Sequence, residues 1–332
     1  MAARSAITVA EVLVSIGVLT LLMSLIAPAI QQSRELSRAT TCRNNLHQLM
    51  LAMHEHEASY RTFPYTSTRW IETGSPGRDH YSRSPHRELM ASLDLSISRR
   101  LDSSDITDPG WTSAGPTFVS VKSRELQKIA IPVLACPSDR VPVGATSYRA
   151  NLGTSIEVLT DLKDKLSPKP HGSFDNGRSV APAEFLDGLS NTVMFSERAI
   201  GDYNPVRYEP FRDLFAIERP ALNAQNLARM CRDESTTSPR SEYSFAGGTW
   251  QLGGWLNTWY NHVLTPNSVV PDCGEGPCCV DGGRVIVTPR SLHRGGVNAA
   301  MGDGRVRFVS NSIDLAVWMS MGTRNGGESL AE

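Results

Sequence analysis

The sequence predicts an α+β fold: a long N-terminal helix, membrane-spanning over its first half, packed on a mostly antiparallel β-sheet domain. Three observations predict it. Residues Val12 to Ile30 carry no charged side chain over 19 positions, close to the ~20 that a helix needs to cross a bilayer. Past that segment, apolar residues recur at spacings of three and four, the period of a helix with one buried face. The rest of the chain holds short apolar runs broken by Gly and Pro, of which there are 26 and 20, a pattern of short strands and turns.

The elements follow in order. Ile7-Thr8-Val9-Ala10-Glu11 precedes the span. A carboxylate at the head of a membrane helix costs roughly 3 kcal/mol on insertion scales, which makes Glu11 a candidate functional group. Leu36, Cys42, Leu46, Leu49, Met50 and Met53 carry the helical stripe onward, with Gln32, Arg34, Glu35, Arg43, Asn44 and Gln48 between them. The helix is predicted to run to about Ser59, with a kink at Pro28, and to end before Pro64. Residues 88–101 have helical spacing. Residues 124–134 read as a short helix or strand leading into Cys136-Pro137-Ser138-Asp139. Residues 146–151 and 193–197 read as strands, and 172–176 as a turn. The Pro- and Arg-rich stretch 203–240 reads as an insertion carrying one helix, Ala221 to Cys231. Trp250, Trp255, Trp259 and Tyr260 follow. Such aromatics are ordinarily partly buried core; a sugar-binding platform is the alternative.

Near the C-terminus, His293 lies ahead of an alternating run that reaches Asp303-Gly304 and continues as Arg305-Val306-Arg307-Phe308-Val309. Asp-Gly is a strong hairpin signal, because Gly tolerates positive φ and Asp bonds its own backbone. Strands 297–301 and 305–310 are predicted to flank it. At ~3.3 Å per residue, His293 then sits roughly 30 Å from the turn. A direct His293–Asp303 pair is not expected, and His293 reads as a structural residue that fixes the loop before the hairpin.

Net charge is −1, which gives no electrostatic footprint for nucleic acid. The six cysteines, Cys42, Cys136, Cys231, Cys273, Cys278 and Cys279, suit an oxidising compartment. Cys42 with Cys136, and Cys231 with a member of the 273–279 cluster, is the expected pairing; free thiols or a zinc site in that cluster are the alternatives. No Gly-x-Ser-x-Gly elbow, His-Glu-x-x-His pair or phosphate-binding loop with Lys occurs, so no enzyme is predicted. His54-Glu55-His56-Glu57 places its histidines on different helix faces. No cofactor is expected. Asp187, Asp303 and Asp314 read as turn formers, with calcium binding through loop oxygens as the alternative.

The N-terminus resembles the class III signal of type IV prepilins and pseudopilins. The cut would fall between Ala6 and Ile7, Glu11 would be fifth in the mature chain, and Pro28 falls where pilins carry a proline. Ala6 replaces the usual Gly and Ile7 the usual Phe. A secretory signal with its site at Ala27-Pro28-Ala29 and a plain membrane anchor are the other readings. Further blocks resemble, in order, a large prepilin-like bacterial family of unknown function with a C-terminal H-x9-DG motif. They are Cys42-Arg43-Asn44-Asn45-Leu46 with Gln48, Phe63-Pro64, Cys136-Pro137-Ser138-Asp139, Asp187 to Thr192 with Glu197, His293 with Asp303-Gly304, and Trp318 with Gly322-Thr323-Arg324 and Gly326-Gly327-Glu328. Arg305 departs from the family's Ser.

The resemblance implies a leader over 1–6, a pilin-like helix over 7–59 and a periplasmic or cell-surface domain over 60–332, enlarged relative to a pilin. It implies a single-pass inner-membrane protein, cleaved and methylated at Ile7 by a prepilin peptidase, with other pilin-like subunits or itself as partners. Glu11 would neutralise the α-amine of Ile7 in a neighbour. Arg34, Arg38 and Arg43 after the span outnumber Arg4 before it, which by the positive-inside count alone favours the opposite orientation; the signal and the cysteines outweigh that count. The alternative function is a non-filamentous anchored surface protein that binds a glycan or another envelope protein.

Overall fold

The computed structural model describes residues 9–72, 78–101, 107–108, 111–112, 115–116, 129–140, 142–157, 172–204, 206–235, 242–275 and 284–327. The leader, Ala6, Ile7, Cys278, Cys279, Glu328 and residues 124–128 lie outside the described residues, as does the side chain of Glu11.

One helix, α1, runs from Val9 to Tyr60 and continues through Pro28. Its two halves have different surroundings. Residues 12–30 are all exposed, including Leu13, Leu19, Leu22, Leu25 and Ile26. From Cys42 onward one face is buried: Cys42, Asn45, Leu46, Leu49, Met50, Ala52 and Met53. These positions repeat at three and four, so they form one stripe. Burying each Leu or Met contributes about 1.5–3 kcal/mol. Leu36, expected in the stripe, is instead 69 % exposed. It lies before the point where α1 meets the domain, so helical spacing alone does not bury it. Arg61, in the left-handed region at φ 61°, ends the helix.

Strands β1 (Ser67–Glu72) and β2 (Arg78–Arg83) form a hairpin. Residues 88–101 were expected to form one helix. They form separate turns instead: α2 (Pro85–Glu88), α3 (Met90–Leu93) and α4 (Leu95–Ser98). Asp94 explains the break, since its carboxylate accepts the amides of Ser96 and Ile97 and starts a new turn. The next short strands are β3 (Thr107–Asp108), β4 (Trp111–Thr112) and β5 (Gly115–Pro116). Pro132–Leu134 is a single 3-10 turn leading into Cys136.

The central sheet contains β6 (Tyr148–Asn151) and β7 (Val193–Glu197), both buried at every position. The predicted segments 203–240 and beyond supply β8 (Leu214–Ile217), helix α5 (Ala224–Glu234) and β9 (Glu242–Tyr243). Helix α5 starts three residues later than expected, because Asn223 caps it by accepting the Asn226 amide at 2.8 Å. Strands β10 (Trp259–Tyr260), β11 (Asp272–Glu275), β12 (Val285–Ile286), β13 (Gly296–Met301) and β14 (Val306–Ser310), then α6 (Leu315–Ser320), complete the order.

Most strand pairs among the described residues are antiparallel, as expected, but the two larger sheets are mixed, each with one parallel pair. The larger has the order β10-β6-β7-β13-β14, with β10 parallel to β6 and the other pairs antiparallel. The smaller has the order β12-β11-β8-β9, with β11 parallel to β8. Long connections, not hairpins, join both parallel pairs, which is why alternation in the sequence did not reveal them. The buried stripe of α1 packs against the larger sheet in one core with Tyr148, Phe195, Trp259, Val297, Ala299 and Trp318. The insertion builds a second core, Phe215, Ile217, Leu227, Cys231 and Cys273 among its members, on the smaller sheet.

Candidate functional site

The two ends of the C-terminal motif, the hairpin tip and His293, both contact α1. At the hairpin tip, Asp303 accepts the Arg305 amide at 3.1 Å and its guanidinium at 2.6 Å. Gly304 takes φ +89°, the conformation that the Asp-Gly signal anticipates. Its carbonyl lies 3.1 Å from Nδ1 of His47, and Arg43 donates to the carbonyl of Val306 at 3.1 Å. The tip therefore grips the middle of α1. His54 packs edge-on against Phe63, while His56 lies 3.0 Å from the carbonyl of Thr62. The two histidines go to different neighbours, as their helical spacing requires.

His293 sits at the opposite end of β13, beside an earlier turn of α1. Its side chain is 3 % exposed and bridges two carboxylates: Nδ1 to Glu35 at 3.1 Å and Nε2 to Glu197 at 3.2 Å. Cys136 Sγ lies 3.6 Å from Nε2. Glu35 comes from α1, where Arg38 pairs with it at 2.7 Å and the Ser138 hydroxyl donates to it at 2.8 Å. Glu197 comes from the end of β7, opposite Tyr148 in register. Asn298 donates to it from its backbone at 2.8 Å and its side chain at 3.0 Å. Between these contacts runs the disulfide Cys42–Cys136. Asn45 secures the same loop by donating to the carbonyl of Ala135 at 2.9 Å, and Tyr148 donates to the carbonyl of Cys42 at 3.2 Å.

The electrostatics follow from this packing. Burial by itself lowers the pKa of His293, but the hydrogen bonds and charges of Glu197 and Glu35 outweigh it and leave the imidazole raised above 6.5. Burial likewise pushes Glu35 up, yet hydrogen bonds from Arg38, Ser138 and His293 bring it below its ordinary value. The two carboxylates thus favour the protonated imidazole more than burial opposes it.

The remaining motif blocks serve similar ends. Asp139 accepts the Ile200 amide at 2.8 Å and pairs with Arg212 at 2.6 Å. Asp187 accepts the amides of Gly326 and Gly327 and the Thr323 hydroxyl. Arg324 makes a two-pronged pair with Asp175 at 2.9 Å. Asp314 caps α6. Asp303 and Asp314 accept amides of their own turns, whereas Asp139, Asp175 and Asp187 tie together segments far apart in the chain. Trp250, Trp255, Trp259 and Trp318 are 0–3 % exposed, so they are core and offer no sugar platform.

The expected pairing of Cys42 with Cys136 forms, and Cys231 pairs with Cys273 of the C-terminal cluster. Sequence reasoning missed Glu35 and Glu197 as partners of His293. It also missed a buried ion cluster. Asp272 is fully buried between Arg198, at 2.9 Å, and Arg290, at 3.0 Å. Desolvation pushes its pKa up, but the two guanidiniums win and hold it below the ordinary value. Arg198 follows β7 and Asp272 opens β11, so the cluster joins the two sheets. One signal existed for part of this: Glu197 closes a strand that is otherwise apolar but for Ser196.

A family model described as "Protein of unknown function (DUF1559)" matches residues 31–316. No curated protein matches, and no solved structure does.

Proposed function

Because the chain belongs to this family of unknown function, DUF1559, and carries an apolar N-terminal helix able to span a membrane, we propose that it is a pilin- or pseudopilin-like membrane-anchored structural protein. The observation that carries the reading is the division of α1. Its first half leaves 19 consecutive uncharged positions exposed, while its second half is locked into the domain. Exposed apolar surface on that scale needs a cover. Lipid covers it in the anchored monomer, and neighbouring copies of the same half-helix cover it in an assembly. The lock makes the domain follow the helix as one body, which a packed filament requires.

In this reading an inner-membrane prepilin peptidase removes residues 1–6 and methylates Ile7. The domain faces the periplasm or the exterior, where the disulfides persist. Glu11 pairs with the α-amine of Ile7 of a neighbouring subunit, since an unpaired charge in lipid is costly. The motif residues serve architecture, and the protein is not an enzyme. The test is intact-mass measurement and N-terminal sequencing of protein taken from membranes. A methylated start at Ile7 is the expected result; a start at Met1 or after Ala29 would sink the reading. Glu11→Ala is expected to leave membrane insertion intact and abolish cross-linking into assemblies.

One observation favours the second reading, a non-filamentous anchored surface protein. A polar cleft of about 530 Å³ is lined by Arg140, Asp202, Tyr203, Asn204, Arg207 and Glu209, a mixture suited to a hydroxyl-rich or zwitterionic envelope ligand. Electron microscopy of affinity-purified native material separates the two: helical polymers for the first, single anchored copies for the second.

A further inference from the structure

The lock around His293 has the composition and spacing of a metal centre. Cys42, Cys136, Glu197 and His293 are all buried, and one ligand-capable atom from each lies within 4.8 Å of all the others. Zinc bonds of about 2.3 Å to sulfur and about 2.0–2.2 Å to nitrogen or oxygen set tetrahedral edges of about 3.3 Å for an N/O pair and about 3.6 Å for an N/S pair. The observed edges are 3.2 Å from His293 Nε2 to Glu197 Oε1 and 3.6 Å from Nε2 to Cys136 Sγ. The other ring nitrogen of His293 faces Glu35 at 3.1 Å. A metal-bound histidine ordinarily gives its second N–H to such a carboxylate. Two thiolates, an imidazole and one carboxylate are a donor set for zinc, not for calcium or magnesium.

We propose that reduction of the Cys42–Cys136 bond turns this lock into a tetrahedral zinc site formed by Cys42 Sγ, Cys136 Sγ, His293 Nε2 and Glu197 Oε1. The chemistry balances with a dithiol reductant. The dithiol passes two electrons and two protons to the disulfide, leaving two cysteine thiols and itself becoming a cyclic disulfide. Zinc then displaces both thiol protons and the proton on His293 Nε2, so three protons go to solvent per ion bound. A disulfide oxidant reverses the exchange: it takes two electrons from the two thiolates and two protons from solvent, becoming a dithiol, while the Cys42–Cys136 bond re-forms and Zn²⁺ leaves.

The consequence is mechanical. Cys42 belongs to α1, whereas Cys136, Glu197 and His293 belong to the domain. In a reducing environment zinc holds the helix on the sheet; in an oxidising one the disulfide does. The docked geometry thus exists in both, whether or not the protein forms filaments.

The test uses the full-length chain in detergent, reduced with a dithiol that is then removed by anaerobic gel filtration, and Co²⁺ as the probe. The reduced protein is expected to bind one equivalent with the intense visible bands and sulfur charge-transfer band of a tetrahedral thiolate site, and Zn²⁺ to bleach them. The oxidised protein is expected to leave Co²⁺ hydrated. His293→Ala should lower the affinity at least tenfold, and Glu35→Gln about tenfold with the bands retained. Absence of tetrahedral bands in the reduced protein overturns the proposal. So do bands unaffected by His293→Ala, because the metal would then be held by other cysteines. X-ray absorption on the zinc-loaded wild type decides the matter even where a variant fails to fold: two sulfur and two nitrogen or oxygen neighbours support the site, and any other sulfur count refutes it.

Discussion

His293 and Asp272 are the two residues whose chemistry depends most on their surroundings. Burial lowers the pKa of His293, but Glu197 and Glu35 outweigh it, so the folded pKa lies above the unfolded value near 6.5. The stabilisation from this proton is therefore complete below about pH 6.5. It is lost as the pH rises through the higher folded value. Urea denaturation across neutral and alkaline pH should show that loss in the oxidised wild type and a flatter profile in His293→Gln. Equal slopes would mean that the imidazole is neutral in the fold. Asp272 poses the opposite problem, one carboxylate between two buried guanidiniums. Asp272→Asn removes the carboxylate that pairs with both cations and should cost about 3–5 kcal/mol, read from the same denaturation midpoint. A loss under 1 kcal/mol, roughly the worth of a surface pair, would show that water reaches the cluster. Neither environment was legible in the sequence. His293 was conspicuous through its motif, but its partner Glu35 is 258 positions away, and Arg198 and Asp272 are separated by 74.

At the scale of elements, the hairpin and the helix were legible and the turns after Pro85 were not. The β13–β14 hairpin formed as expected because Asp303-Gly304 carries its own local instructions. Gly304→Ala forces a Cβ into φ +89° and should destabilise the domain by about 1–2 kcal/mol, with Gly304→Asn less costly. The site has room, since a Cβ there meets only His54, at 3.7 Å; a thermal shift equal for both variants would point to packing instead of backbone strain. The helix α1 runs over the described residues from Val9 to its predicted end, yet its periodicity placed Leu36 wrongly. Spacing reports which residues share a face, and only the position of the sheet decides where that face becomes buried. Residues 88–101 failed for a local reason: the carboxylate of Asp94 competes for amides that a continuous helix would use.

On the scale of the molecule, the disulfides Cys42–Cys136 and Cys231–Cys273 tie distant parts of one chain among the described residues. Cys42–Cys136 closes a separation of 94 positions, for which the chain-entropy view gives about 4–5 kcal/mol. Cys42→Ser should cost an amount of that order under oxidising, metal-free conditions and should make α1 the first region to gain protease sensitivity; sensitivity appearing first around Cys231 would place the weak point in the smaller core. Residues 12–32 are exposed, and no described residue up to 32 belongs to the core, so residues 1–32 can be removed as a test. That shortened chain is expected to be soluble with an unchanged near-ultraviolet dichroism spectrum. By itself the sequence determined the α+β class, the uncharged span, the stripe that continues it and the terminal hairpin, because each is written in local periodicity or turn chemistry; which cysteines pair was an expectation that the structure completed. Only the tertiary structure decided the parallel pairings, the second core, the two carboxylates that raise the pKa of His293 and the gathering of Glu35, Cys42, Cys136, Glu197 and His293 in one place. Those depend on contacts between residues far apart in the chain, where neither period nor propensity carries any information and the packing of the helix on the sheet sets every distance.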